Sequence, residues 1–162
     1  MKLLFDIGMI DKFINDNKWA DIIKKSIKYH NKLDLPDSLG EKEKLFCNII
    51  RDADKADNFR GFCENDFDSF HERSLESVQK SEITDGVMQC FREHSTIPHA
   101  VIKTDADFFL LPYALYFGIV FDCTKALVDK QGYYKQMLSF EFCRQDNREK
   151  FKEIVSCIRV VF

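Results

Sequence analysis

Apolar positions recur at spacings of three and four along most of the chain, the period of helices packed on one side. Leu4, Ile7, Ile10, Phe13 and Ile14 predict a short helix over residues 3 to 14. Asn17 is placed to cap a second helix, residues 18 to 31, whose stripe is Trp19, Ile22, Ile23, Ser26, Ile27 and His30. His30 therefore lies with the apolar side. Leu33 to Gly40, with Pro36-Asp37 inside it, reads as a loop. A third helix, residues 41 to 60, has Leu45, Phe46, Ile49, Ile50, Ala53 and Ala56 as its expected apolar face. On that reading Asp57 falls in the middle of the face, Asp54 on its flank and Asp52 on the other side.

Residues 61 to 80 mix Phe62, Phe67, Phe70, Leu75 and Val78 with many polar groups and fit helix or irregular structure. Ile83, Val87, Met88 and Phe91 predict a helix over 82 to 93, before a break at Pro98. Thr104, with Asp107 three residues on, resembles a capping box. It opens an apolar helix over 105 to 129 that Pro112 should kink unless its first turns form a separate segment. A short helix fits 133 to 142. Phe151, Ile154, Val155, Ile158 and Val161 predict a last one over 147 to 161. Strand alternation, internal repeats and low-complexity linkers are absent from the sequence. The expectation is one all-α domain over residues 1–162.

Composition narrows the class. The 162 residues are 45% apolar with sixteen Phe, enough to build a core. The 24 basic and 27 acidic residues are interspersed and leave a net charge of −3, which argues against a nucleic-acid partner. The longest uncharged apolar run, Phe108 to Phe121, is shorter than the ~20 residues a membrane helix needs. Asp6 and Asp11 interrupt the apolar N-terminus, so no signal peptide is read there. Cys47, Cys63, Cys90, Cys123, Cys143 and Cys157 form no C-x-x-C pair, and reduced, buried thiols in a cytoplasmic protein are expected.

One segment carries chemistry. Ile49-Ile50-Arg51-Asp52-Ala53-Asp54-Lys55-Ala56-Asp57 puts three carboxylates on a helix with an apolar side. A carboxylate on a core face is costly unless it is paired or bound to a metal. Two explanations stand side by side: oxygen ligands for a hard divalent cation, or a salt bridge to a neighbouring helix.

This run resembles the last motif of HD-superfamily metal-dependent phosphohydrolases, close to I-I-R-D-A-D-K-L-D. Ile27-Lys28-Tyr29-His30-Asn31 is similar to that family's A-I-x-x-H-N helix, and Lys103-Thr104-Asp105-Ala106-Asp107 to its K-T-x-A-D. The resemblance implies an HD-domain-like helical bundle that hydrolyses a nucleotide or other small phosphoester. It implies a divalent metal, Mg²⁺ or Mn²⁺, that activates water. It places Asp54 as the metal ligand and catalytic carboxylate and His30 as a catalytic residue near the phosphate; Asp57 matches a position of less certain role. The family's first His and His-Asp doublet have no match. His30, His71, His94 and His99 are followed by Asn31, Glu72, Ser95 and Ala100. The chain therefore resembles an N-terminally truncated member, inactive as it stands. The alternative is a non-catalytic helical interaction or dimerisation module. Uncovered apolar surface on the side of His30 and Asp57 is expected to make it a homo-oligomer.

The other histidines carry less. His71 reads as a surface or partly packed residue, and His94 and His99 as solvated residues of a Pro-containing loop. A separate cluster of His99, Asp105 and Asp107 fits the spacing, but both acids are better explained as helix-start residues that complement the dipole.

Overall fold

The structure, a computed structural model, describes residues 2–14, 16–65, 68 and 73–162, and of Asn17 only the backbone. Among these residues every regular element is an α-helix or a 3₁₀ turn, so the chain is all-α. The contacts of the chain gather into two compact units, Met1–Asp54 and Lys55–Phe162.

The first unit begins with α1 (Lys2–Phe5) and a 3₁₀ turn at Met9–Lys12. The single helix expected over 3 to 14 is broken at Gly8, whose φ of 75° is left-handed. A second 3₁₀ turn, Asn17–Trp19, leads into α2 (Ala20–Tyr29). The side chain of Asn17, the expected cap, lies outside the described residues. The predicted α2 stripe is present: Ser26 is buried and Ile22, Ile23, Ile27 and His30 are half-buried. Ser26 donates its hydroxyl hydrogen to the Ile22 carbonyl at 2.9 Å, which lets a polar residue sit there. The helix α3 (Glu41–Glu64) starts where the Gly40 N–H donates to Glu43 Oε2 at 2.9 Å, a carboxylate satisfying one of the free amides of a helix N-terminus. Trp19 packs on Phe46 at 5.9 Å between centroids, with Lys42 Nζ 4.1 Å from its ring. Lys25 bridges Asp21 at 2.7 Å and also pairs with Glu43. Those two partners, Asp21 first, raise its pKa above the ordinary lysine value.

The second unit holds the hydrophobic core. It contains the C-terminal part of α3, α4 (Leu75–Lys80), α5 (Asp85–Arg92), α6 (Asp105–Phe109), α7 (Leu111–Ala114), α8 (Asp122–Gln131), α9 (Tyr133–Met137) and α10 (Gln145–Arg159). Phe151, Ile154 and Ile158 of α10 turn inward at spacings of three and four and meet Val87, Met88 and Phe91 of α5 in one cluster. The apolar run around Pro112 does not form one kinked helix. Proline lacks an N–H and is accommodated in the first turn of α7, so α6 stops at Phe109 and the chain restarts. A 3₁₀ turn, Leu115–Gly118, follows. Tyr113 donates its hydroxyl to the Met137 carbonyl at 3.0 Å, and Tyr134 returns one to the Tyr113 carbonyl at 2.6 Å. These bonds satisfy two phenols at 0% exposure, whose ionisation burial pushes well above the ordinary range. Phe67 and Phe70 lie outside the described residues.

Candidate functional site

Helix α3 presents its three motif acids differently from the expectation. Asp52 is buried at 1% exposure, whereas Asp54 and Asp57 are exposed. Of the six residues expected on the inner face, Leu45, Ile49 and Ile50 are 43–47% exposed and Ala53 is exposed too, while Phe46 is half-buried and Ala56 buried. The inward positions are Cys47, Asp52, Lys55, Ala56 and Phe59. Asp52 is thus on the inside and Asp57 on the outside, the reverse of the sequence reading. The pattern misled because α3 carries apolar residues on two sides. The stripe Ala56, Phe59, Cys63, extended backward by the helical period, passes through Lys55 and Asp52 and was the better guide.

The basic residues of the motif hold backbone. In the first unit Arg51 Nη2 donates to the Leu33 carbonyl at 2.6 Å, tying the 33–40 loop to the helix. In the second unit Lys55, at 7% exposure, donates from Nζ to the Gly118 carbonyl at 2.5 Å. Gly118 permits this approach, since a Cβ there would sit 3.2 Å from both Lys55 Cε and Thr96 Cγ2. Sequence reasoning did not single out Lys55; its place on the stripe of Ala56 and Phe59 was the available signal. Asp57 accepts from Arg60 Nη2 at 2.6 Å, and Arg60 also meets Glu64 at 2.9 Å, an exposed network on one helix.

His30 caps the C-terminal end of α2 and is half-buried. Its Nδ1 lies 2.7 Å from the Ile27 carbonyl oxygen. A carbonyl only accepts, so Nδ1 carries the hydrogen and a neutral ring has its lone pair on Nε2. That tautomer suits metal or phosphate chemistry at Nε2, yet the same bond is an ordinary way to finish a helix.

The donor set falls short of a complete divalent site. Among the described residues no three His, Cys, Asp or Glu side chains gather to hold a metal ion. Magnesium and manganese sites draw on several oriented oxygen ligands. Asp54 and His30 alone do not fit Mg²⁺ or Mn²⁺, and the combination His99, Asp105, Asp107 is not such a group either. His71 lies outside the described residues. His94 is exposed with φ 50° and sits 5.4 Å from the Phe117 ring; His99 is exposed at the start of a 3₁₀ turn.

The Lys103–Asp107 segment is built as a clamp. Thr104 Oγ1 accepts from the Asp107 N–H at 3.0 Å, the expected cap, and donates to the Glu82 carbonyl at 2.7 Å. Asp107 is buried at 0% exposure and receives three hydrogen bonds: from Thr84 N and Thr84 Oγ1 at 2.9 Å and from Lys103 N at 3.0 Å. Asn147 reinforces the same loop, accepting from Ile83 N at 2.9 Å and donating to Ser81 O at 2.8 Å. Asp105 pairs with Ser77 and Arg73, which together hold its carboxyl below the usual range.

All six cysteines are free thiols. Cys47 and Cys90 are buried and Cys63 and Cys157 half-buried, but Cys123 and Cys143 are exposed, so the expectation of buried thiols fails at those two. Cys63 donates weakly to the Tyr133 carbonyl at 3.4 Å, and burial raises its pKa, the opposite of an activated nucleophile.

Compared with known proteins, the chain matches no family model, no curated protein and no solved structure. Among the described residues no helix is long and apolar enough to cross a membrane.

Proposed function

We propose that this chain carries the carboxylate arm of an HD-type metal-dependent phosphohydrolase acting on a small phosphoester, with Asp54 as a metal ligand and His30 near the phosphate. The supporting observation is Asp54 itself. It stands exposed on a regular helix, inside the nine-residue run that resembles the family's last motif. The donors this chain lacks come, on this reading, from another segment or another chain, so the chain alone is inactive. The test is a calorimetric titration with Mn²⁺, run on the chain and on Asp54→Ala. Weak binding, as expected of an incomplete ligand set, that the substitution abolishes supports the reading, and no binding to the unsubstituted chain counts against it. Binding that Asp54→Ala leaves untouched overturns Asp54 as a ligand.

A second reading, a non-catalytic interaction module that self-associates, draws on the exposure of Leu45, Ile49 and Ile50. Light scattering after size exclusion separates it: a monomer at all concentrations counts against it.

A further inference from the structure

No further inference is drawn: the strongest candidate, the exposed apolar stripe of Leu45, Ile49 and Ile50 on α3, carries nothing because no feature of the structure shows what covers it.

Discussion

Replacing Asp107 should damage the second unit more than replacing any other acid of the two motif segments. Its carboxylate is fully buried and accepts from two backbone amides and one hydroxyl. In Asp107→Ala the Thr84 hydroxyl can rotate towards another acceptor. The amides of Thr84 and Lys103 cannot. An amide left without a partner inside a protein costs about 1–3 kcal/mol, with the upper end for bonds to charged groups. Water reaches part of this site, because Lys103 is exposed and Thr84 half-buried, so the lower half of that range applies to each. Two amides plus the lost packing of the carboxyl give a loss of about 3 kcal/mol. With a urea slope of about 2 kcal/mol per molar, the midpoint should fall by about 1.5 M. Far-UV circular dichroism follows the transition directly, since the elements are helices. Asp107→Asn separates shape from charge. The amide fits the space and keeps one acceptor oxygen but turns an NH₂ towards a donor, so about 2 kcal/mol should be lost. A midpoint shift below about 0.5 M for Asp107→Ala would show that the clamp on the 81–84 loop is not what holds this part of the fold.

Four further outcomes follow from the same geometry. Gly132→Ala places a Cβ in open space but at φ 80°, so it should cost about 1 kcal/mol from backbone strain alone. Gly118→Ala has no such strain and instead crowds the side chains of Lys55 and Thr96, so any loss it causes should shrink when Lys55 is shortened to Ala, which urea unfolding of the single and double variants checks. Asp105 has its pKa lowered in the folded state, by Ser77 first and then Arg73, so its contribution is present above the unfolded carboxylate pKa and is lost as pH falls through the folded value. Asp105→Asn should therefore flatten the acid side of the stability profile below about pH 4 and leave its slope near neutrality unchanged, measured as the urea midpoint against pH. Finally, Asp54→Ala should change stability by no more than about 1 kcal/mol, because the residue is exposed and the interactions of an exposed carboxylate are weak, so the variant should stay folded for the manganese titration.

The helices of the second unit were legible because their periodicity has one reading. Phe151, Ile154 and Ile158 can face inward on only one side of α10, and the structure places them there. The Thr104 cap was legible for a similar reason, since a hydroxyl three residues before an amide has a short, local bond to make. The α1 region was not, because apolar spacing continues across Gly8 while the backbone turns there. Nor was the partner of Asp107. Thr84 lies 23 residues away, and no local pattern connects a helix-start acid to it.

Helix α3 shows where pattern reading stops being decisive. A helix with apolar residues on two sides offers two candidate inner faces, and hydrophobicity alone favoured the side of Leu45, Ile49 and Ile50, which is exposed. The side that is buried includes Asp52 and Lys55, two residues a hydrophobic count rejects. Burial of a charged group needs partners, and for Lys55 the Gly118 carbonyl, 63 residues on, is one. Without tertiary contacts the sequence cannot weigh a buried lysine against an exposed isoleucine. The same ambiguity governs function. Which of Asp52, Asp54 and Asp57 is available to a ligand depends on which face is covered, and on the observed burial Asp54 is accessible whereas Asp52 belongs to the interior. The comparison of Asp54→Ala with Asp52→Ala therefore carries both questions at once. If α3 is oriented as seen, Asp52→Ala costs stability, by about 2 kcal/mol or more, and Asp54→Ala does not. Equal, small losses for the two would mean that Asp52 is not buried and that the inner face must be reassigned.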